Sequence, residues 1–403
     1  MCDDEAPGTM RRIAFVVSHP IQYYAPIYQR LAARSDLEVK VFFTWHDGRA
    51  PVVDVGFRQA VAWDIPLTTG YAFETVNNVS PRPGTNNFFG IRCPDLLGKV
   101  LSWRPDAVHV TGWAWAAHLK LLRDLARERI PVVFRGDSHL LDGKLSGPRW
   151  LAKRMVLRRV YSWPSAFLYT GAANKAYYST FGVPQRKLFG CPHTIDVGRF
   201  VGVADEYERQ ARQWRKELGI GEDQPVALFA GKFEPKKRPL DLMRAILRTK
   251  RKDLVLVLVG DGELNRKVHE VARSHPSRFR VLPFQNQTRM PVVYRLGDFL
   301  VLPSAWSETW GLAVNEALAC GRPVLVSDRV GCAVDVLVPH ADEAPRCGDI
   351  FPWDDETALI AGIQKWSVKA RDAGARAFAV SRAKDFDTRV GEERLLECLR
   401  ATL

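Results

Sequence analysis

The stretch FLVLPSAWSETWGLAVNEALACGRPVLVS, residues 299–327, contains the pattern that decides the fold. Residues 299–302 are apolar and predict a buried strand. A helix should begin near Gly311, because the residues after it share one helical face: Leu312, Asn315, Glu316 and Ala319. Gly321 is placed to cap this helix, and Pro323 opens the next strand. The stretch therefore predicts a strand–loop–helix–strand unit of a parallel sheet, in which ligands bind beyond the carboxyl ends of the strands.

Two acidic residues frame that predicted binding region. Glu308 lies in the loop before the helix, and Glu316 lies about one and a half turns inside it. A carboxylate accepts hydrogen bonds from two neighbouring hydroxyls, so one residue can hold a sugar diol and the other a ribose diol. The helix N-terminus suits a phosphate, because its free N–H groups carry partial positive charge. A simpler interpretation is that Glu308 caps the helix and Glu316 is solvated.

The spacing of the two glutamates also carries a family resemblance. The pattern Ser-Glu-Thr-Trp-Gly-Leu-x-x-x-Glu-Ala-x-Ala-x-Gly-x-Pro-Val resembles the donor motif of retaining GT-B glycosyltransferases of family four. The resemblance implies a nucleotide-sugar donor, with Glu308 on the hydroxyls of the transferred sugar and Glu316 on the ribose. It further implies that the loop amides at Trp310, Gly311 and Leu312 face the sugar and the diphosphate.

The same resemblance implies the architecture of the chain. It predicts an α/β protein of the GT-B fold, with two Rossmann-like doubly wound domains facing each other across a cleft. The length of 403 residues also exceeds what one ordinary core fills. We expect an acceptor-side domain over 1–200, a nucleotide-sugar-binding domain over 201–385 and a C-terminal helix, 386–403, that crosses back onto the first domain. Residues 1–9 are acidic without the apolar core of a signal peptide, so we expect a frayed tail.

The turn after the first predicted strand, residues 18–26, reads SHPIQYYAP. It lacks the Gly-x-Gly-x-x-Gly of dinucleotide-binding enzymes, which disfavours a nicotinamide or flavin dehydrogenase. Its His-Pro-Ile-Gln-Tyr resembles one bacterial subgroup of family four, common among surface-polysaccharide glycosyltransferases. His19 could orient an acceptor hydroxyl or a donor phosphate, or be a hydrogen-bonded structural histidine. Residues 45–95 have little regular pattern, and we expect this long segment to cover the acceptor side.

A second turn of the first domain, RGDSH at residues 135–139, follows a predicted strand at 131–134 and should face the same cleft. Many members of the family place a histidine here that contacts the donor sugar and phosphate. This chain has Arg135 and Asp137 instead. Arg135 could neutralise phosphate, and Asp137 could take the proton of the acceptor.

Three lysines and one arginine follow the strand predicted at 226–230, in the kind of turn where anions bind. By resemblance, Lys232 and Lys237 hold the diphosphate; the alternative is a solvated basic turn. Gly260 would allow a close approach of the backbone to a ligand. The backbone at Phe284 would, by the same resemblance, face the base of the nucleotide.

The net charge of +13 is concentrated in one region, because residues 143–195 contain nine Lys or Arg and no Asp or Glu. Within it, residues 149–161 predict a basic amphipathic helix. An anionic membrane surface, an acidic acceptor or nucleic acid could be its partner, and a solvated face over the core is the alternative. Nucleic acid is disfavoured, since neither an aromatic-rich RNA motif nor a zinc-finger spacing is present.

The function implied is a metal-independent, cofactor-free, anomer-retaining transfer of a sugar to a carbohydrate or lipid-linked acceptor, in cell-surface polysaccharide or glycoconjugate synthesis. Seven scattered cysteines without a Cys-x-x-Cys fit the cytoplasm, with possible peripheral contact at the inner face of the membrane. Two alternatives remain open. One is a sugar epimerase or phosphorylase of the same fold, although neither an acid–base pair nor a pyridoxal-binding lysine is evident. The other is a non-catalytic carbohydrate- or membrane-binding scaffold.

Overall fold

The computed structural model describes residues 10–48, 52–54, 59–141, 147–337 and 346–403. Two parallel sheets, one in each half of the chain, carry most of the strands. The tail predicted at residues 1–9 lies outside the described residues.

The first sheet is formed by the N-terminal half. This half of the chain contains strands β1 (Arg11–Val17), β2 (Leu37–Phe43), β3 (Val52–Asp54), β4 (Gln59–Val61), β5 (Ala72–Thr75), β6 (Ala107–Thr111), β7 (Val132–Arg135), β8 (Ala166–Tyr169) and β9 (Leu188–Gly190). Of these, β3 and β4 form a separate two-stranded sheet. Its helices are α1 (Ala25–Ala32), α2 (Leu96–Ser102), α3 (Ala116–Arg127), α4 (Gly147–Val160) and α5 (Ala172–Thr180). The strand order is β5-β2-β1-β6-β7-β8-β9, and all these neighbours pair in parallel.

Both faces of this sheet are covered, which explains why β1 is apolar at consecutive positions. Ala14 and Val16 pack into the core on one face, whereas Ile13 and Phe15 pack into the core on the other. The segment 45–95 departs from its predicted irregularity, since β5 extends the sheet beside β2 and β3 pairs antiparallel with β4. These strands have only three or four residues, too few to show a period in the sequence.

The second sheet is formed by the C-terminal half. After helices α6 (Val197–Val201) and α7 (Ala204–Glu217) come strands β10 (Val226–Ala230), β11 (Val255–Val259), β12 (Phe279–Leu282), β13 (Phe299–Leu302), β14 (Val324–Ser327) and β15 (Gly348–Phe351). The remaining helices are α8 (Pro239–Arg248), α9 (Asn265–Ser274), α10 (Met290–Leu296), α11 (Leu312–Ala319), α12 (Ala333–Leu337), α13 (Glu356–Lys369), α14 (Ala373–Ala383) and α15 (Thr388–Thr402). The order β12-β11-β10-β13-β14-β15 is parallel throughout.

The unit predicted from residues 299–327 is confirmed as β13, a loop, α11 and β14. Gly311 is the N-cap residue of α11 and has φ +97°, where glycine is favoured. A Cβ at Gly311 would also lie 2.8 Å from Val330 Cγ1, so a larger residue would not fit. Gly321 follows the C-cap of α11 with φ +66°, as expected of a helix-ending glycine.

The last helix, α15, packs against the first sheet. Its Leu395 and Leu399 share a buried core with Ile13 and other residues of the first half. An ion pair joins Arg30 Nε to Glu392 Oε2 at 2.6 Å. The chain therefore returns to the first domain at its C-terminal end, as the resemblance implied.

Helix α4 coincides with the predicted basic helix, but its apolar residues are not gathered on one buried face. Leu157 and Val160 are buried. Leu151, Met155 and Val156 are 52%, 61% and 53% exposed. The alternative interpretation, in which the basic face is solvated and the apolar face is buried in the core, therefore fits only the C-terminal part of the helix, at Leu157 and Val160. Among the described residues, no helix has the length and apolar character needed to cross a membrane.

Candidate functional site

The loops that follow β10 and β13 meet at the carboxyl edge of the second sheet. The amide of Ala305 donates to the carbonyl of Lys236 over 2.8 Å. Lys237 Nζ forms an ion pair with Glu308 Oε2, and Ser304 Oγ donates to the same oxygen over 2.9 Å. Two residues predicted from separate motifs, 71 positions apart, are thus in direct contact.

This pair lies beside the N-terminus of α11. A Cβ built on Gly311 would be 3.7 Å from Glu308 Cγ. The N-cap residue is a glycine, so it supplies no side-chain hydrogen bond to the first amides of the helix, near Leu312. Trp310 is only 3% exposed, and its Nε1 donates to Asn315 Oδ1 over 2.9 Å. The Trp310 ring therefore supports the loop from inside, while the helix end offers positive potential to an anion.

Lys232 follows Gly231 in the turn after β10, in the same loop as Lys237. Gly260 lies beside this turn, since a Cβ on Gly260 would be 1.9 Å from the Gly231 carbonyl oxygen. From the sequence, we expected a ligand to approach the backbone at Gly260. The structure corrects that reason, because a neighbouring backbone requires the glycine; a role of Gly260 in donor binding stays a prediction.

Glu316 is buried, with 3% of its surface exposed. Tyr294 donates to Glu316 Oε2 over 2.6 Å, and Tyr23, from the first half of the chain, donates to Oε1 over 3.1 Å. Arg199 Nη2 lies 4.0 Å from Oε1. Burial raises the pKa of Glu316, although the two tyrosines and Arg199 oppose that rise. The interpretation of Glu316 as a solvated residue is therefore wrong.

The turn after β7 forms a buried polar cluster around His193, a residue that was not predicted from the sequence. His193 Nε2 lies 3.3 Å from Asp137 Oδ1, and Arg135 Nη2 lies 3.4 Å from His193 Nδ1. Tyr24 stacks on the His193 ring at 6.1 Å between centroids. The Trp310 ring also contacts His193, in an edge-on arrangement with the ring centroids 5.7 Å apart. His193 thus connects Arg135 and Asp137 to the loop that holds Glu308.

Asp137 is held in its ionised form by this cluster. Burial alone would raise its pKa, but the attraction of the nearby His193, together with Arg135, lowers the pKa of Asp137 to about 2. A carboxylate with so low a pKa is a weak base at neutral pH. Its position suits orienting His193 better than taking a proton from an acceptor.

Two further predicted residues lie in other parts of the cleft region. His19 Nδ1 is 2.8 Å from Ser18 Oγ, and the His19 ring stacks on His46 at 5.2 Å. Phe284 lies against Trp63, with ring centroids 6.3 Å apart. These contacts do not join His19 or Phe284 to the Lys237–Glu308 pair.

The segment predicted to cover the acceptor side makes contact with the second domain. Asn286 Nδ2 donates to the carbonyl of Ala62 over 2.6 Å. The amide of Thr288 donates to Asp64 over 3.2 Å. The segment therefore bridges the two halves of the chain next to Phe284.

Comparisons with known proteins agree with this geometry. Residues 210–373 match the family model described as glycosyl transferases group 1. This range includes both loops that carry Lys237 and Glu308. The group 1 glycosyltransferases are thus the family that the second half of the chain resembles.

Two curated relatives are similar over part of their length. The D-inositol 3-phosphate glycosyltransferase of Salinispora arenicola is 33% identical over 146 residues, which are 33% of this chain and 32% of that protein. The lipopolysaccharide 1,2-N-acetylglucosaminetransferase of Salmonella typhimurium is 32% identical over 146 residues, 33% of this chain and 38% of that protein. The chain therefore matches between about a third and two fifths of the length of these two relatives.

A solved structure matches over nearly the whole chain. HepE from Anabaena, in complex with UDP and glucose, has a TM-score of 0.67 at 17% identity and covers 97% of this chain and 100% of its own. At this identity the likeness concerns the fold. The protein has the GT-B fold, two Rossmann-like α/β domains with parallel sheets, as the sequence predicted.

Proposed function

We propose that the protein is a glycosyltransferase that moves a sugar from a nucleotide-diphosphate sugar to a carbohydrate or lipid-linked acceptor, with retention of anomeric configuration. The observation that carries the proposal is the Lys237–Glu308 ion pair beside the N-terminus of α11, where the N-cap residue is a glycine. A cation and a helix end, which suit a diphosphate, lie there next to a carboxylate, which suits sugar hydroxyls.

In the proposed reaction, the bond between the anomeric carbon and the diphosphate oxygen breaks, and a bond from that carbon to the acceptor oxygen forms on the same face of the sugar. Lys232, Lys237 and the α11 N-terminus stabilise the negative charge on the leaving diphosphate, without a need for a metal. The acceptor proton goes to the departing phosphate. Glu308 positions the sugar, Glu316 binds the ribose, and Arg135 adds positive charge from the opposite domain.

Incubating the protein with a panel of nucleotide sugars, with no acceptor added, tests this proposal. We expect slow release of nucleoside diphosphate from one donor, since transferases pass the sugar to water at low rate. An epimerase would change the configuration of the sugar and leave the bond between the sugar and the diphosphate intact. A scaffold would release nucleotide from none of the donors, and that result would contradict the proposal.

An anionic membrane is the partner that we propose for α4. Three apolar side chains of this helix are exposed: Leu151, Met155 and Val156. The same helix carries five basic residues: Arg149, Lys153, Arg154, Arg158 and Arg159. Exposed apolar side chains can enter the acyl boundary while the basic ones meet anionic headgroups. Such contact would bring a peripheral, cytoplasmic-face enzyme to a lipid-linked acceptor of surface polysaccharide or glycoconjugate synthesis.

Sedimentation with vesicles that contain about a third phosphatidylglycerol checks the membrane proposal. Replacing Leu151, Met155 and Val156 by Ser should weaken binding by about tenfold or more, because the apolar contribution to insertion is lost while the charge is kept. Matched replacements of Val203, Val334 and Val368 by Ser, which are 54%, 54% and 65% exposed elsewhere, should leave binding unchanged. Equal binding of the two triple variants would argue against α4 as the membrane contact.

A further inference from the structure

Both oxygens of the Glu316 carboxylate are occupied by phenol hydroxyls. Tyr294 donates to Oε2, and Tyr23 donates to Oε1, in each case with the carboxylate buried from solvent. Tyr294 belongs to α10, in the same domain as Glu316. Tyr23 belongs to the turn between β1 and α1, in the opposite domain. The hydrogen bond to Oε1 therefore joins the two domains across the cleft.

We propose that the Tyr23 hydroxyl occupies, on Glu316, the place of a donor ribose hydroxyl, so that a nucleotide must displace Tyr23 in order to bind. This inference rests on the proposed function, in which Glu316 binds the ribose. A carboxylate that holds a vicinal diol accepts one hydroxyl hydrogen bond on each oxygen or two on one. Each oxygen keeps a second lone pair, so the ribose and Tyr23 compete for the space beside Oε1, where the Tyr23 hydroxyl lies 3.1 Å away.

Tyr23 is the tyrosine better placed to leave. Tyr294 is 1% exposed and lies in the second-domain core with Leu296 and Val292, so its ring is fixed by packing. Tyr23 is only partly buried and packs on the edge of that core from the other domain. A rotation of the Tyr23 side chain, or a small separation of the domains, frees Oε1 without disturbing α10.

The remaining groups around Oε1 can receive the ribose. Arg199 lies 4.0 Å from Oε1, and its Nε has no hydrogen-bond partner among the described residues although that atom is buried. Arg199 Nη2 is held by Gln287 Oε1 at 2.9 Å. A ribose hydroxyl that replaces the Tyr23 phenol would thus meet a carboxylate with the Arg199 guanidinium close by.

The competition links the two sides of the cleft. Tyr23 lies in the His-Pro-Ile-Gln-Tyr turn, which also contains His19, and Tyr24 stacks on His193. Release of Tyr23 by a nucleotide would free this turn, which belongs to the domain that we expect to bind the acceptor. Donor binding would then alter the acceptor side before the acceptor arrives.

Calorimetric titration of the full chain with uridine, adenosine and guanosine diphosphates, with the tightest-binding one carried forward, tests the inference. Tyr23→Phe keeps the ring but removes the competing hydroxyl, so the variant should bind that nucleotide about tenfold more tightly than the wild type. The gain should fall below about twofold for the matching 2′,3′-dideoxynucleotide, because it has no hydroxyl to take the vacated place. Tyr71→Phe, which loses a hydroxyl bonded to the Leu67 carbonyl inside the first domain, should leave the affinity unchanged.

Each outcome separates this inference from the proposed function. If Tyr23→Phe binds nucleotide as the wild type does, or more weakly, Tyr23 does not compete with the ribose and the inference is wrong, while nucleotide binding itself still supports the proposed function. An equal gain in affinity with the dideoxynucleotide would show that no ribose hydroxyl takes the place of the phenol, and the inference would be wrong. Glu316→Gln should weaken binding in either background. If no variant binds any of the three diphosphates, the proposed function fails, and the inference fails with it.

Discussion

Replacing Glu308 by Gln is expected to lower the rate of sugar transfer by about a hundredfold, or ~3 kcal/mol of transition-state stabilisation. Gln keeps the shape of the side chain but loses the charge that Lys237 and Ser304 hold in place. The Lys237 ammonium would then no longer be fixed beside the α11 N-terminus, where the leaving diphosphate is proposed to lie. We therefore expect both the positioning of the sugar and the stabilisation of the negative charge on the leaving diphosphate to weaken.

Turnover with the donor found in the nucleotide-sugar panel measures this effect. Lys237→Met should cause a loss of similar size, and the double variant should lose less than the product of the two single losses, because both remove one ion pair. Glu356→Gln is the matched control, since Glu356 pairs with Arg248 on the surface. If Glu308→Gln turned over as fast as the control, Glu308 would have no place in the reaction.

The Lys237–Glu308 contact was within reach of the sequence because each residue lies in a local pattern. Glu308 follows an apolar strand and precedes a helical period that Gly311 begins, and Lys237 lies in a basic strand-to-helix turn. Parallel strands bring such turns to one edge of a sheet. Local periodicity and sheet topology therefore bring the two turns together, whereas the choice of Lys237 within its turn came from the family resemblance.

The surroundings of Glu316 and Asp137 were out of reach of the same reasoning. Tyr23 is 293 residues from Glu316 along the chain, and their hydrogen bond exists only because two separate domains dock. His193 follows Pro192 in the segment between β9 and α6, which connects the two domains. Contacts that depend on docking leave no period in a single sequence, so these partners required coordinates.

The second large expected effect concerns stability at the opposite end of the second sheet. Asp298, directly before β13, is 3% exposed. It accepts the amide of Val226 at 2.8 Å and lies 3.4, 3.1 and 3.3 Å from three guanidinium groups, in the order Arg215, Arg371 and Arg376. Removing one partner of a buried charge network typically costs about 3–5 kcal/mol, because the opposite charges remain without compensation. Asp298→Asn should therefore lower the free energy of unfolding by about 3 kcal/mol.

The pH dependence of that loss has a definite sign. Burial by itself would raise the pKa of Asp298, but Arg215, Arg371 and the Val226 amide together lower it below the ordinary value of 3.8. The folded pKa is thus lower than the unfolded one, so the ionised carboxylate contributes stability above about pH 4, and this contribution is lost as the pH falls through the folded pKa. The difference between wild type and Asp298→Asn should be full at pH 7 and shrink below pH ~4.

Urea unfolding at pH 7 and at pH 3 measures both parts of this prediction, with Asp253→Asn as the matched control. Asp253 also pairs with an arginine, Arg251 at 3.0 Å, but its side chain is 49% exposed, so its replacement should cost less than about 1 kcal/mol. Asp298 lies directly before β13, at the edge of the second sheet opposite to the proposed site, so Asp298→Asn at 20 °C should keep its turnover. Losses of equal size for Asp298→Asn and Asp253→Asn would show that the three arginines do not depend on the buried carboxylate.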